Sequence, residues 1–74
     1  MTEKESKLVD EFLDLAKENR YCEIVCFTMG ALAFNKGTDE EKTIEILNDL
    51  IVLAKKYPKE EDFTKQVSDK YFED

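Results

Sequence analysis

The chain has 74 residues and a formal net charge of −7, with 18 acidic residues, 11 basic residues and no histidine. A chain of this length forms one domain, residues 1–74, and buries only about 60% of its unfolded surface, so self-association would add useful burial. The acidity disfavours direct binding to nucleic acid, and the lack of histidine excludes a Ser-His or Cys-His nucleophile within the chain.

The first segment is predicted to be an amphipathic helix. Thr2 and Glu5 have the spacing of a capping box, in which a hydroxyl and a carboxylate each accept an amide hydrogen of the first turn. The phase of the apolar positions shifts near Asn19 and Arg20, which predicts a turn there. One continuous helix over residues 3–36, about 50 Å long, is the alternative. The apolar side of the first helix is formed by Leu8, Val9, Phe12, Leu13, Leu15 and Ala16.

The second segment is the most apolar part of the chain. From Tyr21 to Phe34, eleven of fourteen residues are apolar. A strand over residues 24–28 would suit local propensity, but no other segment offers it a partner. We therefore predict a helix over residues 20–36, closed by Gly37 in the left-handed conformation.

Two further helices are predicted after Gly37. Residues 38–41 repeat the capping-box pattern with Thr38 as the cap, and Pro58 ends the third helix. The fourth helix is short, has a narrow apolar stripe of Phe63, Val67 and Tyr71, and is expected to fray at residues 73–74. Apolar residues cover about half of the third helix, which should therefore be central: Ile44, Ile46, Leu47, Leu50, Ile51, Leu53, Ala54 and Tyr57. The predicted fold is an all-α bundle of three main helices and a short C-terminal helix.

The second helix carries the candidate interface. It has a stripe of small side chains beside two aromatic residues seven positions apart, and small residues allow a second backbone to approach closely. Either the stripe serves the bundle itself, or it belongs to a surface for self-association or for a partner, since one short domain can hardly cover the whole helix. The stripe comprises Cys22, Cys26, Gly30 and Ala33, and the predicted interface comprises Cys26, Phe27, Gly30 and Phe34.

Other chemistry finds little support in the sequence. Cys22 and Cys26 are predicted to be free thiols in a reducing cytoplasm, because the N-terminal residues do not resemble a signal peptide. Two thiols without histidine do not make a zinc site, so neither a metal nor another cofactor is expected. The apolar segment is too short to span a membrane. Carboxylate pairs such as Asp10 and Asp14 fall on a solvent face, and we do not predict an enzyme.

A second candidate surface is acidic. Glu60, Glu61 and Asp62 begin the fourth helix and would suit a basic groove on a partner, although lysines interrupt the run. The amides and hydroxyl of residues 35–38 would suit an anion, but the acidic residues that follow oppose one.

These patterns predict a small acidic intracellular protein that acts by protein–protein contact, as an inhibitor, sequestering protein or adaptor, and that forms a homodimer or a higher homo-oligomer. In size and composition it resembles small acidic helical proteins of phages and mobile elements, and no motif carries that resemblance. One alternative is an oligomeric binder of nucleotides or other small ligands, with pockets between subunits. A second alternative is an acidic decoy for a nucleic-acid-binding protein.

Overall fold

Four α-helices and their short connections make up residues 1–72, the part of the chain that the computed structural model describes. The helices are α1 (Glu3–Glu18), α2 (Glu23–Lys36), α3 (Glu40–Lys56) and α4 (Glu60–Tyr71), and residues 1–72 contain no β-strand. The predicted all-α bundle with a short fourth helix is therefore confirmed. The predicted fraying concerns residues 73–74, which lie outside the described residues.

A turn separates α1 from α2, so the predicted break is confirmed and the continuous helix is wrong. Arg20 has φ 63°, and this left-handed residue ends α1 without a glycine. The Tyr21 amide then donates to the Ala16 carbonyl at 2.9 Å, and the Arg20 amide donates to the Lys17 carbonyl at 3.1 Å. These two bonds form a Schellman motif, in which burial of Tyr21 offsets the unfavourable conformation of Arg20.

The helix caps agree with the sequence prediction at α1 and differ at α3. Thr2 and Glu5 form the expected capping box. At α3 the cap is Asp39 rather than Thr38, because the Asp39 carboxylate accepts the Lys42 amide at 2.8 Å. A carboxylate at this position also faces the positive end of the helix dipole.

Gly37 ends α2, but not in the predicted left-handed conformation. Its φ and ψ are −79° and 107°, which is an extended conformation. The glycine is needed for space instead, because a Cβ atom at this position would lie 2.0 Å from Thr43 Oγ1 and 2.7 Å from the Ala33 carbonyl oxygen. The turn between α2 and α3 therefore packs directly on the first turn of α3.

The core forms around α3, which contacts each of the other three helices as predicted. From α4, Phe63 inserts between α1 and the turn that follows it, with its ring centroid 6.0 Å from that of Phe12 and 4.7 Å from that of Tyr21. Tyr21 also donates its hydroxyl to the Tyr57 carbonyl at 2.5 Å. The buried apolar residues are Phe12, Ala16, Tyr21, Met29, Leu32, Ala33, Ile46, Leu47, Leu50, Ile51, Ala54, Phe63 and Val67.

Side-chain hydrogen bonds fix the ends of the helices to one another. The Asn19 amide donates to the Ala54 carbonyl at 2.9 Å, which ties the end of α1 to α3. The Cys22 backbone amide donates to the Glu60 carboxylate, which ties the start of α2 to the start of α4. The second bond holds the start of α2, and the packing of Met29, Leu32 and Ala33 holds its inner side against the core. No helix within residues 1–72 has both the length and the apolar character that a membrane span needs.

Candidate interaction surface

Within residues 1–72, only one side of α2 packs into the subunit. Met29, Leu32 and Ala33 are buried against the core. The opposite side is apolar too, and it lies open: Phe27 is 81% exposed and Ile24 is 74% exposed. By helical geometry Phe27 points away from the three buried residues. A helix that is apolar around its whole circumference is normally enclosed on all sides, and this subunit encloses α2 on one side only.

A neighbouring part of α1 extends this open side of α2. Leu13 was expected on the buried side of the first helix, but it is 42% exposed. The reason is that Leu13 faces the α2 positions with small side chains, Cys26 and Gly30, so the two helices leave a groove between them. We call the groove and its rim the α1–α2 apolar surface; it comprises Met1, Val9, Leu13, Ile24, Cys26, Phe27, Gly30, Ala31 and Phe34.

The stripe of small residues predicted on α2 divides among three environments. Ala33 is fully buried and serves the bundle, whereas Cys22 is exposed at the helix start. Gly30 lines the groove, and a Cβ atom added there would meet nothing within 4 Å. A glycine in a helix interior costs about 1 kcal/mol relative to alanine. No contact within the described subunit requires that cost.

The α1–α2 apolar surface carries no charged side chain. Lys17 and Glu23 lie at its edge, where they line an adjoining shallow groove with Leu13 and Phe27. Thr28, on the same exposed side of α2, donates its hydroxyl to the Ile24 carbonyl at 2.7 Å. Covering this region therefore leaves few polar groups without a partner.

The thiol of Cys26 is part of the apolar lining and is not activated. Burial is the largest influence and raises the pKa of Cys26, and the negative charges of nearby groups raise it further. The protonated form therefore dominates at neutral pH, and Cys26 behaves as a small apolar side chain. Both cysteines are free, as predicted.

The acidic candidate surface keeps two of its three residues free in solvent. Glu61 and Asp62 are exposed. Glu60 is half-buried, and its carboxylate accepts the Cys22 amide in place of the side-chain cap that α2 lacks. Glu60 therefore has a role within the fold, at the positive end of the α2 dipole.

A polar cleft lies between α3 and α4, and its groups bind one another. Asp49 accepts a hydrogen bond from the Tyr71 hydroxyl at 2.6 Å and forms an ion pair with Lys70 at 2.8 Å. Lys42 pairs with Glu45 at 3.4 Å in the same cleft. Burial, followed by the bond to Asp49, raises the pKa of Tyr71. Within residues 1–72, no group of three or more Cys, Asp or Glu side chains could hold a metal ion.

All four residues predicted as an interface, Cys26, Phe27, Gly30 and Phe34, line the same groove. Leu13 and Ile24 were not among the predicted interface residues. For Leu13 the reason is that the wheel of a single helix does not show where the neighbouring helix lies. Comparison of the chain with protein-family models, with curated proteins and with solved structures finds no match.

Proposed function

We propose that this chain acts by protein–protein contact, as an inhibitor, sequestering protein or adaptor, and that it associates through the α1–α2 apolar surface, including with copies of itself. The observation that carries the proposal is Phe27, a large aromatic side chain that is 81% exposed at the centre of an uncharged surface. Single exposed apolar residues are ordinary, but a contiguous set on two helices is typical of an interface.

The size of the surface supports an interface. The exposed fractions are 81% for Phe27, 74% for Ile24, 42% for Leu13, 37% for Phe34 and 79% for Met1. Taking about 200 Å² for a large side chain, they correspond to roughly 600 Å² of apolar surface. That is near the upper end for the largest apolar patch on a monomeric protein, and in so small a chain it favours a surface that another molecule covers.

The charge distribution indicates the kind of partner. Within residues 1–72 the charged side chains lie outside the α1–α2 apolar surface, whose own side chains are uncharged. A partner therefore needs an apolar centre, and a neutral or basic rim would favour its approach. The cleft between α3 and α4 gives less support to the small-ligand alternative, because its charged groups and the Tyr71 hydroxyl already pair with one another.

Affinity capture with three baits tests the proposal: the wild-type chain, Phe27→Glu, and Val52→Glu as a matched control. Val52 is a 58% exposed apolar residue on α3, outside the α1–α2 apolar surface, so the control adds the same charge elsewhere. Circular dichroism verifies that each bait is folded. We expect the wild type and Val52→Glu to retain the same proteins from a host lysate, including tagged copies of the chain, and Phe27→Glu to lose them.

Equal capture by all three baits would contradict the proposal. A nucleotide or metabolite that raised the melting temperature of the wild type and of Phe27→Glu alike would favour the ligand-binding alternative.

A further inference from the structure

We propose that the α1–α2 apolar surface is covered by the same surface of a second copy, with the two α2 helices antiparallel and a two-fold axis passing between Gly30 and Ala31. This inference rests on the proposed function and gives it a partner and a geometry. Four observations carry it: the order of residues on the exposed side of α2, the space at Gly30, the charges of the helix, and the exposed area.

The residue order is self-complementary. From Phe27 to Phe34 the chain has Phe, two residues, Gly-Ala, two residues and Phe. A two-fold axis between Gly30 and Ala31 places Phe27 of one copy opposite Phe34 of the other, and Gly30 opposite Ala31. These four residues line one groove. A two-fold interface requires a surface that matches itself in this way.

The space at Gly30 permits the helices to approach closely. Nothing lies within 4 Å of the position of a Cβ atom there, and the neighbouring side chain, Ala31, is small. With the two smallest residues at the crossing point, the aromatic rings on either side can reach the second copy and pack against each other at the usual 4.5–7 Å between centroids. The glycine that has no use within one subunit therefore has a use between two.

The charges favour the antiparallel orientation. In α2 the acidic residue Glu23 is at the start and the basic residue Lys36 is at the end, with no charge between them. An antiparallel pair brings the Glu23 end of one helix beside the Lys36 end of the other and sets the helix dipoles in opposition. A parallel pair would bring two Glu23 carboxylates together. Because each copy has a net charge of −7, contact through the other faces is repulsive.

The area fits a small dimer. With roughly 600 Å² of apolar surface from each copy, the pair would bury about 1,200 Å², the lower end of the range for a specific interface. We therefore expect a reversible dimer at micromolar concentration. Added salt should strengthen it by screening the repulsion between two acidic copies, whereas a complex with a basic partner would weaken.

Disulfide formation between copies tests this geometry. The background variant carries Cys22→Ser and Cys26→Ala, and serine is a favourable residue at the helix start that Cys22 occupies. Ala31→Cys places a thiol next to the two-fold axis, offset from its mate by about 1.5 Å along the helices. Ile24→Cys is the matched control, because Ile24 is also exposed but would lie about 20 Å from its mate.

On mild oxidation we expect at least about tenfold more disulfide-linked dimer from Ala31→Cys than from Ile24→Cys, since a disulfide needs Cα atoms within about 7 Å. Equal cross-linking of both variants, or more from Ile24→Cys, would overturn the antiparallel pairing. If neither variant cross-links while the wild type sediments as a dimer, the geometry is wrong and the proposed function stands. A strictly monomeric wild type would also overturn the pairing, and the capture experiment would then decide the proposed function separately.

Discussion

Two phenylalanines show how differently this small chain uses the same side chain. Phe63 on α4 is fully buried between Phe12 and Tyr21, whereas Phe27 on α2 is 81% exposed. Both lie on helices, but only Phe63 lies on a side that faces the rest of the bundle. The bundle closes around α3 and leaves the outer side of α2 uncovered within residues 1–72. If α2 associates as proposed, stability and association depend on separate residues, which mutations can test.

The largest expected effect concerns Phe63. Phe63→Ala should lower the free energy of unfolding by about 3–5 kcal/mol, because it leaves a cavity at the centre of the core. In a 74-residue domain of marginal stability this is enough to unfold most of the protein. Circular dichroism and urea titration measure the loss. In dilute solution Phe27→Ala should change the free energy of unfolding by no more than about 0.5 kcal/mol. A large loss of stability in Phe27→Ala would contradict the distinction between the buried and the exposed phenylalanine.

The two glycines extend the comparison between the packed and the open regions. Gly37→Ala should destabilise the fold by about 1–3 kcal/mol, because the new methyl group would collide with Thr43 and with the Ala33 carbonyl. Gly30→Ala should raise the stability of the monomer by up to about 1 kcal/mol, because its methyl group meets nothing and alanine favours the helix. Urea titration of both variants measures these changes in stability. A Gly30→Ala monomer that is less stable than the wild type would show that the groove is already filled.

A smaller effect is expected at the start of α2. Glu60→Gln should lower stability by about 0.5–1 kcal/mol, since it removes the charge that faces the Cys22 amide and the α2 dipole. Glu61→Gln is the matched control, because Glu61 is exposed on the same turn of α4. Thermal unfolding at low ionic strength separates the two variants. Equal melting temperatures would mean that the Glu60 contact contributes nothing.

The smallest expected effect appears at alkaline pH. Burial and the bond to Asp49 raise the pKa of Tyr71 above its ordinary value of 10.0. The unfolded chain loses the Tyr71 hydroxyl proton at a lower pH than the folded chain. The contribution of Tyr71 to the free energy of unfolding is therefore complete below pH 10.0 and falls as pH rises beyond that value. Urea titrations from pH 9 to 11 should show a shallower decline for Tyr71→Phe than for the wild type. Parallel declines would exclude a contribution from Tyr71.

The helical pattern of the sequence predicts the architecture, because apolar spacing, the Thr2–Glu5 capping box and Pro58 are local signals. The pattern fails where a tertiary contact determines the backbone conformation or the helix cap. The left-handed conformation that was expected at Gly37 is found at Arg20 instead. Burial of Tyr21, the next residue, favours the turn at Arg20. Glu60 caps the start of α2 by accepting the amide of Cys22, which lies 38 residues earlier in the sequence.

The candidate surface was predictable only in part. An excess of apolar residues on α2 is visible in the sequence, and it places Phe27 and Phe34 in the predicted interface. The exposure of Leu13 is not visible, because it depends on how far α1 and α2 stand apart, and that distance is set by packing against α3. A surface formed by two helices can be predicted only when the way in which the helices cross is known.

Sedimentation equilibrium over a range of micromolar concentrations tests the central claim most directly, with the wild type, Phe27→Glu and Val52→Glu run in parallel. We expect the wild type and Val52→Glu to associate reversibly and Phe27→Glu to remain a folded monomer. A wild type that stays strictly monomeric, or that associates to the same extent with glutamate at position 27, would contradict the assignment of the α1–α2 apolar surface as the site of self-association.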